Sequence, residues 1–537
     1  MKYIANSMSR ERIVWCALLT IIVFAGILRY GLLSIPLQRD EGEYAYAAQL
    51  ILQGVPPYEE VYTMKLPGAY AAYAMLLSVF GQTAAGIHTG LLIINAITII
   101  AVFLLAKQFM NSLSSIVSAA SFALLSVSQP AQGVFLNAEH FVILFATIGL
   151  CVMLRALAGT SMSMLFAAGL LLGICFTMKQ HGIAFIAFAG LYIVFNSSIQ
   201  RPFQYRGLAL NLLSFGSGVI TVFTFLLIII ALSGVFKSFW FLTVDYAQAY
   251  ISLVHPEQAW QNFIGSAAPI VKSAPLLWML ISLGLFALMS KRTVKHHRVF
   301  LVLYVFFSLL SICPGFYFRP HYFLLLLPCL SLLAGMAISI LMDFLSRFSL
   351  KIIKIGIPIL LSVVCAGQSI YQQHDFLFFM TPFQVTRSTY GPNPFFESVQ
   401  IAEFIRQRTN KDDHVAILGS EPQIYFYSKR RSASGYVYMY PLMENHDFAL
   451  QMQKDFIKDV ETKKPKYLLF VNVFTSWLRR QDSNLMVFDW FNNYQEKYFR
   501  QVGLIELFPE RALYHWEPHT KWPASSEFWV AVFERVT

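Results

Sequence analysis

The sequence predicts a polytopic α-helical membrane protein of about 11 transmembrane helices, followed by a C-terminal α/β domain. Three observations predict it. Only 13% of the 537 residues are charged and 57% are hydrophobic, giving a mean hydropathy of +0.56 that a soluble domain of this size would not tolerate. Apolar runs of about 17 to 25 residues, enough to cross a hydrocarbon core as helices, recur from residue 13 to about 372 and then stop. The remaining stretch, 373–537, mixes short apolar runs with amphipathic ones, as a small α/β domain does.

The spans fall at about 13–36, 84–106, 111–128, 139–157, 162–178, 182–197, 208–233, 269–290, 298–314, 320–342 and 352–372. The first, IVWCALLTIIVFAGILRYGLLSIPL, is longer than a signal-peptide core and lacks a small-residue cleavage site, so it is expected to be retained. Lys2, Arg10 and Arg12 precede it. Alternate loops then carry Lys107, Arg155, Arg201 with Arg206, KRTVKHHR at 291–298, and Arg347 with Lys351 and Lys354. The positive-inside rule makes these cytoplasmic, with the N-terminus. An odd number of spans then places 373–537 outside the cytoplasm, in a multi-pass cell-membrane protein. The net charge of +11 therefore reports topology and contact with anionic membrane lipids, not nucleic acid. The six cysteines all fall in apolar runs and read as small core residues.

The unusual polar turns gather on the outer side. Directly after the first span comes QRDEGEYAYAAQLILQG, with Asp40, Glu41 and Glu43 close together; a short interfacial helix is expected here, stopping at Gly54 before Pro56 and Pro57. GAYAAYAMLLSVFG is a second such segment within the 38–83 loop, which is grouped with the membrane module 1–372. MKLPG at 64–68, NAEH at 137–140, MKQHG at 178–182, VDYAQAY at 244–250 and FRPHYF at 318–323 complete the set. In the tail, FESVQIAEFIRQRT predicts a helix, HVAILGS and KYLLFVNV buried strands, EPQIYFY a helix after a turn, and FWVAVFERV a terminal strand.

These residues admit two kinds of reading. Asp40 and Glu41 read either as an exposed carboxylate pair at a membrane edge or as a general base toward a hydroxyl or amine. Lys179 and Arg319 read either as snorkelling anchors at span ends or as cations facing an anionic ligand. Asp245, Tyr246 and Tyr250 either line a cavity or belong to an interfacial aromatic belt.

The DE pair after the first span, the interfacial helix and K-x-P-G-x-Y at 65–70 resemble the C-type membrane glycosyltransferases (the GT-C fold), in particular the bacterial branch related to protein O-mannosyltransferases and the lipid A aminoarabinose transferase. NAEHF, FTMKQHG and FRPHYFLLLLP continue the likeness in order, and GSEPQIYFYSKRRSASGY resembles the outer domain of bacterial members. Leu66 departs from the pattern, standing where many relatives have a second proline.

The resemblance implies transfer of a sugar from a polyprenyl-phosphate donor to an extracytoplasmic acceptor, which could be a glycolipid, a polysaccharide or a protein. Asp40 is then the catalytic base, and Glu139 orients the acceptor or the sugar hydroxyls. Lys179, Arg319 and His321, with Tyr322 and Lys65, are the candidate phosphate clamp. Glu41 is expected as a structural or metal-side partner, and Glu43 as a solvated charge favouring the N-terminal end of its helix. Glu41, His140, Asp245 and Tyr246 are the candidates to line the acceptor cavity. No cofactor is assigned from these residues. The family leaves room for a divalent metal ion, with His140, Glu41 and His255 as candidates by position.

Two other classes compete. A secondary transporter or lipid flippase expects ionisable groups near the midplane and a doubled pattern of broken spans. A non-catalytic scaffold would bind polysaccharide through its outer domain.

Overall fold

The computed structural model describes residues 2–199, 202–288, 295–350, 352–517, 519–520 and 522–536. Arg201, Lys351 and positions 291–294 of the basic KRTVKHHR cluster lie outside the described residues. The chain divides into two units. The first comprises Met1–Leu33, His88–Ile228 and Val254–Phe379; the second comprises Ser34–Ile87, Ile229–Leu253 and Met380–Thr537. The 38–83 loop therefore clusters with the tail and not with the apolar helices.

The first unit is helical. Among the described residues seven helices are long and apolar enough to cross a membrane, or up to eight if one bent pair counts as a span. They match seven of the expected spans. Those expected at 111–128, 162–178 and 298–314 form shorter apolar helices. The span expected at 269–290 is corrected: the chain bends by 109° between Pro256–Lys272 and Pro275–Phe286. Pro275 has no amide proton to carry a helix through the bend and instead occupies the first turn of the second segment.

Burial separates the centre of this unit from its periphery. The most apolar window of Pro320–Leu345 is 72% buried, against 17% for Tyr205–Leu232, whose exposed Leu213, Ile220 and Phe225 suit contact with lipid. Cys16, expected in the core, is likewise exposed. Helices Met162–Met178 and Tyr205–Leu232 cross through small residues: a β-carbon at Gly169 would overlap the backbone at Phe215 and Gly218, the close approach that small residues permit between apolar helices.

The second unit holds a six-stranded sheet in the order β2-β1-β3-β6-β4-β5: β1 (His414–Leu418), β2 (Arg431–Ser432), β3 (Tyr467–Asn472), β4 (Phe499–Leu507), β5 (Ala512–Trp516) and β6 (Phe528–Arg535). β1 pairs in parallel with β2 and β3, whereas β6 runs antiparallel to β3 and β4. The three strands and two helices expected from the sequence form as β1, β3, β6, Glu397–Arg408 and Gln423–Ser428. Strands β4 and β5 were not foreseen. The residues of β5 are only half-buried, so its sequence lacks a clear apolar alternation.

Helix Arg39–Leu52 packs on helix Gln423–Ser428 so closely that a β-carbon at Gly42 would lie 2.6 Å from the Gln423 amide nitrogen. Glycine is what allows that approach. The helix ends, as expected, before Gly54, whose φ of 87° suits a residue without a side chain. It begins earlier than its apolar period suggests, because Gln38 and Glu41 form a capping box: the Asp40 amide donates to Gln38 Oε1 at 2.8 Å and the Gln38 amide to Glu41 Oε2 at 3.2 Å.

Candidate functional site

In the second unit the acidic stretch forms a built cluster. Asp40, Glu41 and Glu43 lie on the first turns of Arg39–Leu52, and their environments differ sharply. Glu41 is fully buried and serves as the cap just described. Glu43, expected to be solvated, is only 1% exposed; it accepts a 2.6 Å bond from the Tyr70 hydroxyl and a 2.7 Å bond from Lys65. That correction has a simple cause. Helix Gly68–Phe80 covers this face, and a carboxylate can be buried there because a cation and a phenol satisfy it.

Asp40 keeps 26% of its side chain exposed, whereas Glu41 and Glu43 are buried. Its Oδ1 accepts from Lys65 Nζ at 2.7 Å and from the Tyr438 hydroxyl at 2.8 Å. Lys65, expected in the phosphate clamp, thus serves two carboxylates, and its ammonium also lies 4.5 Å from the centre of the Tyr44 ring. Burial opposes its charge, but Asp40 and Glu43 outweigh burial and hold its pKa well above the ordinary lysine value.

Arg39, next in sequence to Asp40, fixes the helix to the sheet domain. Its guanidinium bonds Glu421 at 2.8 Å, Asn393 at 2.9 Å, the Tyr440 hydroxyl at 2.7 Å and the Ser420 carbonyl. Glu421 follows β1 in the GSEP turn and is fully buried. Burial opposes the Arg39 charge; Tyr440 and Glu421 more than offset it, so its pKa sits above that of ordinary arginine.

Tyr246 is 3% exposed in the sheet domain's core and donates a 2.8 Å bond to Glu444. Its neighbour Asp245 is exposed, in the π-helical segment Phe241–Tyr246.

A second cluster lies in the first unit. Glu139 sits in the first turn of Ala138–Gly159, where the helix dipole favours a carboxylate, and it is 1% exposed. Lys179, in extended conformation at the end of Met162–Met178, forms an ion pair with Glu139 Oε1. Its ammonium stands 4.1 Å from the centre of the Tyr322 ring, a cation–π contact. His321 Nε2 is 3.9 Å from the same Glu139 oxygen, and its Nδ1 is 3.1 Å from Gln132 Oε1. Three motifs distant in sequence, NAEH, MKQHG and FRPHYF, therefore converge on one group.

Glu139 Oε2 and His140 Nε2 have no hydrogen-bond partner among the described residues, although both are buried. Arg319 lies over the Tyr317 ring, 5.4 Å from its centre, and its carbonyl accepts from the Tyr322 amide. Among the described residues no three His, Cys, Asp or Glu side chains converge to hold a metal ion. The metal that the resemblance allows thus has no built three-ligand site among the described residues.

Residues 65–220, less than half of the chain, match the family model described as dolichyl-phosphate-mannose-protein mannosyltransferase. No curated protein matches the chain. Among solved structures, ArnT from Cupriavidus metallidurans bound to undecaprenyl phosphate aligns with a TM-score of 0.57 at 13% identity, covering 96% of this chain and 97% of that one. The chain has the GT-C fold. The oligosaccharyltransferase of Archaeoglobus fulgidus, tethered to an acceptor peptide, aligns at a TM-score of 0.52 and 13% identity over 95% of this chain and 75% of that one. The same archaeal protein, in complex with an inhibitory peptide and a dolichol-phosphate, aligns equally well at 12% identity. On this GT-C fold the family-model match spans Lys65, Glu139 and Lys179, and stops short of Asp40 on one side and Arg319 on the other.

Sequence reasoning missed Tyr438, Gln132, Tyr70 and Arg39 as site residues. Tyr438 stands in the GYVYMYP stretch, whose aromatic density was its one available signal.

Proposed function

We propose that this protein is an inverting glycosyltransferase that moves a sugar from a polyprenyl-phosphate donor to an extracytoplasmic hydroxyl or amine. The observation that carries this reading is the convergence of Glu139, Lys179, His321 and Tyr322 from three separate motifs. A cation held by a carboxylate and an aromatic face, at the ends of apolar helices, suits the phosphate of a lipid. The solved relatives bound to undecaprenyl phosphate and dolichol-phosphate support the same donor class.

The leaving group is a phosphate, which needs cationic stabilisation more than protonation. Lys179 supplies it, His321 and Arg319 add to it, and Tyr322 fixes the position of the ammonium. Glu139 turns its second oxygen, Oε2, to a hydroxyl of the sugar or of the acceptor. Asp40 accepts the proton of the attacking oxygen or nitrogen as the new bond forms at the anomeric carbon and the bond to phosphate breaks. One displacement inverts the anomeric configuration. The acceptor is a glycolipid, a cell-wall polymer or a protein hydroxyl; on this reading the sheet domain and Asp40 lie outside the cytoplasm, with the N-terminus inside.

The test is incubation of the purified protein with a panel of polyprenyl-phosphate sugars, scoring release of the lipid phosphate and the anomeric configuration of the product. Asp40→Asn is expected to abolish release while leaving expression and thermal unfolding unchanged, and Lys179→Met to lower it at least a hundredfold. An active Asp40→Asn variant removes Asp40 from the role of base. If no donor turns over and the reconstituted protein instead moves a lipid-linked sugar across vesicles, the reading gives way to a flippase.

A further inference from the structure

Tyr438 lies 398 residues beyond Asp40 and donates a hydrogen bond to its Oδ1. The bond is well supported from behind. Val437 and Met439, on either side of Tyr438, are buried at 1% and 0% exposure, and the Met439 amide donates to Ser420 Oγ at 2.9 Å. The next tyrosine, Tyr440, is gripped between the Arg39 guanidinium and the Thr475 carbonyl, each at 2.7 Å. The Tyr438 ring also faces Lys65, whose ammonium lies 5.2 Å from the ring centre. One phenol thus touches both the carboxylate and the cation of the acidic cluster. Burial and the carboxylates of Asp40 and Glu43 raise its pKa well above the ordinary phenol value, so it remains a donor throughout the working pH range.

We propose that Tyr438 is a positioning residue for Asp40: the sheet domain reaches back through this phenol to orient the carboxylate and keep Lys65 beside it. The tail is on this view part of the machinery that aims the base, not an appended acceptor-binding module. A carboxylate on the first turn of a helix has two free side-chain torsions. Lys65 alone, on a flexible stem and shared with Glu43, does not select one orientation, whereas a second donor carried on an anchored backbone does. Ionisable groups near Asp40 include Arg39, Glu41 and Glu43 on its own helix, Lys65, and the phenols of Tyr73 and Tyr390; Tyr440, two residues beyond Tyr438, is bound to Arg39. The proposal rests on the reading of Asp40 as the base.

The test uses the full-length protein in detergent and whichever undecaprenyl-phosphate sugar of the panel gives the fastest release of undecaprenyl phosphate. Tyr438→Phe is expected to lower kcat about tenfold, to leave KM for that donor within twofold, and to move the acidic limb of the kcat/KM profile to higher pH, since the carboxylate loses a donor. Tyr438→Gln, which keeps a donor but no ring, is expected to retain more turnover than the Phe variant. In a Lys65→Gln background the loss caused by Tyr438→Phe is expected to shrink, because both act through one carboxylate. A Tyr438→Phe variant with unchanged kcat and pH profile overturns the proposal, as does equal loss in the Phe and Gln variants. An active Asp40→Asn protein overturns instead the reading beneath it, so the two failures are distinguishable.

Discussion

The Lys65 ammonium lies 2.7 Å from Asp40 Oδ1, and at the same distance from Glu43 it closes a bridge between an exposed carboxylate and a buried one. This lysine therefore serves the two acids, and neither carboxylate is left without a cation.

Lys65→Met leaves Glu43 buried without its cation. The expected cost is on the order of 3 kcal/mol, the low end for breaking a buried ion pair, because Lys65 and Asp40 are 23% and 26% exposed. Thermal unfolding in detergent measures it. The pH dependence has a definite sign: Lys65 has a raised pKa in the fold, so its contribution is complete below about pH 10.4, the unfolded value, and fades as pH rises through the folded one.

Gly42→Ala tests the seating of the acidic helix. A β-carbon 2.6 Å from the Gln423 amide nitrogen forces the helix away from the sheet domain, at about 1–3 kcal/mol for overpacking. Turnover is expected to fall with stability, since Asp40 rides on the same turn. Gly54→Ala, with open space around it but a φ of 87°, is expected to cost about 1 kcal/mol and leave turnover intact.

Glu421→Gln leaves the buried Arg39 guanidinium without its carboxylate. The expected loss is about 3–5 kcal/mol, read as earlier unfolding and greater proteolytic sensitivity of the 373–537 region. Replacing the exposed pair Arg406 and Glu403 is the control, worth under about 1 kcal/mol.

Glu506 is expected to contribute to the acid resistance of the sheet domain. Burial alone raises its pKa, but bonds from Ser525, Ser526 and His515 outweigh burial and hold it down to about 2. A depressed carboxylate contributes stability above its unfolded pKa near 4.3 and loses it as pH falls toward 2. Glu506→Gln is expected to cost about 2 kcal/mol at neutral pH and to flatten the acid unfolding curve between about pH 4 and 2, measured by circular dichroism.

Much of the site was legible in the chain. NAEH, MKQHG and FRPHYF stood out as polar turns ending apolar runs, and Glu139, Lys179, His321 and Tyr322 do meet. Glu43 was misjudged because charge near a membrane edge suggests solvent, while burial depends on which element covers the residue. Gly68–Phe80 covers Glu43. The bend at Pro275 was hidden because hydropathy counts apolar residues and is blind to the direction of the axis.

By itself the sequence determined the class of protein, the place of seven helices that are long enough to cross a membrane among the described residues, and the turns that carry ionisable groups. Hydropathy and motif order are properties of neighbouring residues and survive without a fold. Only the tertiary structure decided who partners whom. Asp40 with Lys65 and Tyr438, and Arg39 with Glu421, are contacts across 25 to 398 residues, and a hydrogen bond exists only where folding brings donor and acceptor within about 3 Å.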